Sequence, residues 1–192
     1  GNSSHVLIPF LNDSIFNVDV FTSRPEKWSD VITLEWQDGS GRLLDTTCGK
    51  IRKASNDPSE LFPEADYVVF CMPVHQYRIA LHRIAPYLNR SKKVVLCTLY
   101  GQGGWNWMVD EIKNQYSLSN LITFAFGLIP WICRIKEYGK SGVVYGVSKQ
   151  ANFAAAYPSQ TFEQISKEFI QPICSNDIVQ ERVEQSPNFL SL

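Results

Sequence analysis

The 192-residue chain is 44% hydrophobic and 12% aromatic, with a formal net charge of −1. That composition supplies a core for one domain, or for a domain and part of a second, and excludes disorder. The charge balance excludes a general attraction to nucleic acid or to an anionic membrane, and no apolar run is long enough to span a bilayer.

The opening stretch "GNSSHVLIPFLND" sets a polar quartet, Gly1-Asn2-Ser3-Ser4, before an apolar run. Asn2 and Ser3 are suited to cap a helix by accepting from its first free N–H groups. Val6, Leu7, Phe10 and Leu11 then recur at helical spacing. The stretch reads either as a surface helix after a polar end, or as the second half of a glycine-rich phosphate turn whose first strand is missing. "NVDVF" (17–21) predicts a short strand, and "VITLEW" (31–36) another with alternating apolar residues. "DGSG" (38–41) is a turn signal, so "RLLDTTCGKIRKA" (42–54) is expected to return as a hairpin partner. "ADYVVFCMP" (65–73) is a near-continuous apolar run, expected of a strand covered on both faces. "QYRIALHRIAPYL" (76–88) carries Ile79, Leu81, Ile84 and Leu88 on a helical pattern. "KKVVLCTLYGQGG" (92–104) predicts a second buried strand running into a glycine-rich turn, "WNWMVDEIKNQY" (105–116) a helix, and "LITFAFGLIP" (121–130) a further strand. Buried strands separated by helices of about 12 residues predict βαβ units and a mainly parallel, doubly wound α/β sheet. Five cysteines (48, 71, 97, 133 and 174) lack Cys-x-x-Cys spacing, and no signal-peptide pattern is present; both predict a reducing, cytoplasmic setting without structural zinc.

In a doubly wound sheet, ligands bind at the carboxyl ends of the strands. Here those ends are Phe21-Thr22-Ser23-Arg24, Cys71-Met72-Pro73-Val74, and Thr98 through Gly104. In dinucleotide-binding folds the residue reading the adenosine ribose lies about 20 residues beyond the glycines, and a carboxylate there selects the free 2′-hydroxyl of NAD. This chain offers Thr22, Ser23 and Arg24 instead. Two hydroxyls and a guanidinium suit a 2′-phosphate, so NADP(H) is favoured and NAD(H) remains open. The alternative is that Arg24 is a solvated charge beside Pro25. Gly101-Gln102-Gly103-Gly104 either lets backbone approach a ligand closely or is only a strand-to-helix turn.

The blocks "ADYVVFCMPVHQYRIALHRIAPYL", "YGQGGWNW" and "LIPWICRIKEYG" resemble the N-terminal nucleotide-binding domain of the opine dehydrogenases, of the octopine dehydrogenase type. "PWICRIKEYG" (130–139) is the most specific of them, and the resemblance covers nearly the whole chain. It implies a Rossmann-like fold with a β-hairpin insertion. It also implies NAD(P)H-dependent reductive condensation of an amino acid with an α-keto acid. The family's turn resembles G-x-G-N-x-[AS]-H, which makes Gly1 its second glycine, Asn2 and His5 its following pair, and Ser4 the small residue for close helix–strand packing. On that basis residues 1–192 are a dinucleotide-binding domain truncated at both ends, with a helical substrate domain expected beyond Leu192. Two departures stand out: Ser3 replaces a frequent glycine, though its hydroxyl can itself donate to phosphate, and Pro9 is expected to kink or shorten the first helix.

The resemblance places the catalytic histidine and its assisting aspartate in the second domain, so no catalytic residue is assigned in this chain. His75 follows a strand end near where nicotinamide is expected, His82 reads as solvated, and His5 as a buttress of the turn. Cys133 reads as structural, and Arg134 as a contact for a carboxylate or another domain. Trp105, Trp107 and Trp131 read as core or interface anchors. The cofactor-binding set is therefore Gly1, Asn2, Ser3, Ser4, Thr22, Ser23, Arg24, Met72, Pro73, Val74, Gly101 and Gln102, with no metal ligands. Two other readings stay open: a ketopantoate-reductase-like or other 2-hydroxyacid dehydrogenase, and a non-catalytic nucleotide-sensing module. Which amino acid and keto acid are used, and the oligomeric state, are not legible.

Overall fold

The computed structural model describes residues 1–11, 15–147, 152–174 and 183–185. In chain order its elements are α1 (Asn2–Phe10), β1 (Asp19–Phe21), β2 (Val31–Gln37), β3 (Leu43–Lys50), β4 (Lys53–Ser55), β5 (Tyr67–Phe70) and α2 (Tyr77–Ile84). There follow β6 (Val94–Thr98), α3 (Trp105–Tyr116), β7 (Leu121–Phe126), β8 (Trp131–Glu137), β9 (Ser141–Val147), β10 (Asn152–Tyr157), α4 (Phe162–Ile165), α5 (Gln171–Cys174) and β11 (Val183–Gln185). The described residues form two compact units, one from residues 1–11, 15–56, 129–147, 167–174 and 183, the other from 57–128, 152–166 and 184–185.

In the first unit, α1 packs on a four-stranded sheet of order β3-β2-β9-β8. The alternation in "VITLEW" explains the arrangement: Ile32, Leu34 and Trp36 are buried, while Thr33 and Glu35 on the other face are partly exposed. The apolar spacing of α1 is equally direct, since Val6, Leu7, Phe10 and Leu11 are all buried. The Phe10 ring lies 5.5 Å from Trp36 and 5.2 Å from Trp131, and Ile8 closes on Ile32 and Ile51. Pro9 sits in the last turn, and the helix ends one residue later. Glycines on the strands allow the close approach of α1 to the sheet. A Cβ on Gly49 would lie 2.4 Å from the Ile8 carbonyl oxygen, and one on Gly142 would lie 3.1 Å from His5 Cβ.

The β2–β3 hairpin forms as its turn signal predicts, but the returning stretch is not one strand. It breaks at Ile51 and Arg52, and β4 pairs in parallel with β1, held by the Arg52–Asp19 ion pair. Ile51 leaves the hairpin to fill the core, and its N–H is met by the Asp30 carbonyl at 2.7 Å. "PWICRIKEYG" forms β8 and the start of the β8–β9 turn, and β9 then pairs in parallel with β2.

The second unit is a sheet of order β11-β10-β7-β6-β5, parallel through β5, β6 and β7 and antiparallel at β10. β6 and β7 are buried throughout, as the apolar runs require. β5 is not covered on both faces as expected: it is an edge strand whose Tyr67, Val68 and Val69 are only partly buried. The helices α2 and α3 pack on one another, with Leu81, Ile84, Val109 and Ile112 inward. Ile79, expected inside, is 64% exposed, and the fully buried Tyr77 takes its place. Tyr77 lies edge-on to Trp105 and Phe70 lies tilted against it, and the indole N–H donates to the Phe124 carbonyl at 3.0 Å. Trp105 and Trp131 are buried, whereas Trp107 is exposed and has no place in the core.

Candidate functional site

The first unit carries the opening turn. Gly1 occupies the N-cap position, no side chain caps α1, and Gly1 and Asn2 are exposed while Ser3 is buried. Asn2 and Ser3 are therefore inside the helix rather than capping it. The Asn2 side-chain oxygen instead accepts from the Ile135 N–H of β8 at 3.0 Å, and Ser4 Oγ donates to the Gly1 carbonyl at 2.7 Å. The first-turn N–H groups of an α-helix lie at the positive end of its dipole, a position that suits a phosphate.

His5 is fully buried. Its Nε2 accepts from the Gly139 N–H at 2.8 Å, and its Nδ1 faces the Gly1 carbonyl at 3.0 Å. Burial pushes its pKa below the ordinary value, so the ring is neutral. Its expected role as a buttress has this physical form. His5 also stacks on Trp28 at 4.7 Å, and Tyr138 lies 5.7 Å from both rings.

The loop after β1 is held in the same cluster. Thr22 N–H donates to the Ser55 carbonyl at 2.9 Å, and Thr22 Oγ1 accepts from the Arg24 N–H at 3.3 Å. The same hydroxyl lies 3.3 Å from the Tyr138 hydroxyl, and the Arg24 guanidinium sits 4.3 Å above the Tyr138 ring. Burial alone would raise the Tyr138 phenol, but the Thr22 hydroxyl and Arg24 bring it below its usual range. Ser23 and Arg24 are exposed, and Arg24 has no carboxylate partner among the described residues. The start of α1 and an exposed guanidinium without a carboxylate partner lie in the same unit, and both suit anionic groups.

The second unit brings together the other two predicted segments. A Cβ on Gly103, at φ +78°, would lie 2.6 Å from Val74 Cγ1, so the turn after β6 rests directly on the turn after β5. Gly101 N–H donates to the Phe126 carbonyl at 2.7 Å, and Gln102 accepts from the Tyr100 hydroxyl at 3.3 Å. Beneath them the buried Tyr77 and Thr98 hydroxyls meet at 2.7 Å. Met72, Pro73 and Gln102 are exposed, and Gly104 leads into α3. The glycine stretch thus serves as the strand-to-helix turn.

Cys133 is buried on β8, where burial pushes its thiol up against the opposing pull of Arg134. Arg134 is exposed and donates to the Cys133 carbonyl at 3.0 Å. His75 is exposed in the short turn after Pro73. His82 is not simply solvated: its ring nitrogens face the Tyr116 hydroxyl at 3.3 Å and Glu111 at 3.4 Å. Sequence reading missed Trp28 and Tyr138, which carry the contacts around the β1 loop. The signal was present as the aromatic-glycine pair of "KEYG", but nothing in its spacing ties it to residues 22–24. Among the described residues, no helix is long and apolar enough to cross a membrane.

The parallel strands and the helices packed on them define a Rossmann-like α/β fold. No protein-family model matches the chain. It is 28% identical over 152 residues to opine dehydrogenase of Haliotis discus hannai, covering 73% of this chain and 36% of that protein. It is 26% identical over 156 residues to octopine dehydrogenase of Mizuhopecten yessoensis, covering 76% and 38%. The structure of octopine dehydrogenase with NADH and pyruvate superposes with a TM-score of 0.80 at 22% identity, over 99% of this chain and 49% of that one. NADP+-bound yersinopine dehydrogenase shares the fold at a TM-score of 0.67 and 11% identity, over 97% and 45%. In sequence and fold the chain is similar to opine dehydrogenases. It spans well under half the length of the curated relatives it matches.

Proposed function

We propose that the chain is the dinucleotide-binding part of an oxidoreductase that joins an amino acid to an α-keto acid by reduction, using NADP(H) in preference to NAD(H). The observation that carries the cofactor reading is the loop after β1, where Thr22, Ser23 and an unpaired Arg24 stand without a carboxylate. A carboxylate there would repel a 2′-phosphate, whereas a guanidinium adds charge-assisted hydrogen bonds. Gly1, Asn2, Ser3 and Ser4 would meet the pyrophosphate with the start of α1, using backbone N–H groups and the helix dipole. The proposal keeps Met72, Pro73, Val74, Gly101 and Gln102 as further cofactor contacts, and Arg134, beside the structural Cys133, as a carboxylate contact. The nicotinamide, when bound, supplies the hydride. The chain's own residues bind and orient it. Catalytic residues are proposed to lie in the portion of the relatives that this chain does not span. Cys48, Cys71, Cys97 and Cys133 are unbridged thiols, which suits a reducing, cytoplasmic setting.

The test is a titration of NADPH and NADH into wild-type protein and Arg24→Ala. Losing a charge-assisted hydrogen bond should weaken NADPH roughly tenfold to a hundredfold, with a much smaller change for NADH. The difference should shrink at high salt. Equal losses for the two cofactors would overturn the assignment.

A further inference from the structure

We infer that Tyr138 is a positioning residue that sets cofactor selectivity by holding Arg24 in the orientation a 2′-phosphate requires. This rests on the 2′-phosphate reading of Arg24. An arginine on an exposed loop has many rotamers and normally gives up much of that freedom on binding. Here the guanidinium lies 4.3 Å over the Tyr138 ring, in the geometry of a cation–π contact. A guanidinium carries five N–H donors, so its contact with Tyr138 leaves donors that a phosphate takes in pairs. The ring acts on the loop backbone as well, because its hydroxyl meets Thr22 Oγ1, which accepts from the Arg24 N–H.

Tyr138 can serve this role because it is itself held. The next residue, Gly139, has φ +74° and no room for a side chain: a Cβ would lie 2.0 Å from the Lys27 carbonyl oxygen. Its N–H is bound to the buried His5, and the Tyr138 ring packs against both His5 and Trp28. The platform beneath Arg24 is therefore set by the first helix and the β8–β9 turn together, before any ligand arrives.

The experiment measures dissociation constants of NADPH and NADH for the intact wild-type protein, Tyr138→Phe and Tyr138→Leu. Tyr138→Leu removes the ring and should lower the NADPH-over-NADH preference by about two- to fivefold, the span of an exposed cation–π contact. Tyr138→Phe keeps the ring and should retain the preference. A merely structural role, or partial misfolding of the Leu variant, would weaken both cofactors alike and leave their ratio unchanged; that result overturns the inference. A wild type with no preference for NADPH would instead remove the 2′-phosphate reading itself, and the inference with it.

Discussion

His5 Nε2 accepts a hydrogen bond from the backbone N–H of Gly139 at 2.8 Å, across 134 residues of sequence. A backbone N–H can only donate, so Nε2 carries no proton and the ring's hydrogen is on Nδ1, facing the Gly1 carbonyl. The neutral imidazole therefore joins the first turn of α1 to the turn between β8 and β9. Replacing it with alanine leaves a buried N–H unsatisfied and opens a void against Trp28. His5→Ala should cost about 1–3 kcal/mol from the hydrogen bond alone, read as a lower urea midpoint.

The burial of this ring makes stability depend on pH. Burial lowers the folded pKa of His5 below its ordinary 6.5. Above that value both states are neutral and the contribution is complete. As pH falls below it, the unfolded chain takes up a proton before the folded one does, and stability is lost until the folded ring also protonates. Urea midpoints measured from about pH 8 down to about pH 5 should fall across the acid half, and His5→Gln should remove that part of the slope. An unchanged slope in His5→Gln would show that His5 is not the titrating group.

Two glycines are required by contact. Gly139→Ala forces a left-handed residue and a Cβ 2.0 Å from the Lys27 carbonyl oxygen. The conformation alone costs roughly 1–2 kcal/mol, so the total should exceed that. Gly49→Ala drives a Cβ into the backbone of α1 at Ile8 and should destabilise comparably. Gly146→Ala, with nothing within 4 Å, is the control and should change the thermal midpoint little.

In the second unit, Tyr77→Phe removes the 2.7 Å hydrogen bond to the buried Thr98 hydroxyl, which still accepts from the Tyr100 N–H at 3.2 Å. The cost should be about 0.5–1.5 kcal/mol. Trp105→Ala removes a fully buried indole that contacts Phe70 and Tyr77, and should cost about 3–5 kcal/mol. Chemical denaturation of each variant checks both values.

The 192 residues alone are expected to oxidise no NADPH with pyruvate and an amino acid. The basis is that the chain spans only 36% and 38% of the curated relatives it matches. Turnover by the purified chain, followed by loss of NADPH absorbance, would move the catalytic residues onto this sequence.

Period and punctuation alone determined the local elements. "VITLEW" alternates because one face of β2 is buried beneath α1, and "DGSG" turns the chain because its glycines admit the backbone it needs. "WNWMVDEIKNQY" is helical over its whole length. The carboxyl-end loops were legible for the same reason, since they follow strands that composition marks. Other features depended on long-range packing, which leaves no local trace. Ile79 and Tyr77 exchange inside for outside because α2 presents its face to α3, and the helical pattern accommodates either choice. The break at Ile51 is decided by a core position beside Ile8 and Ile32, although the stretch itself reads as continuous strand. Tyr138 meets Arg24 because β8 and β9 fold back beside β2 and Gly139 admits no side chain. Sequence marks which residues can be buried or turn; only the packed structure decides which of them touch, because contact energies are collected between segments that the chain itself keeps far apart.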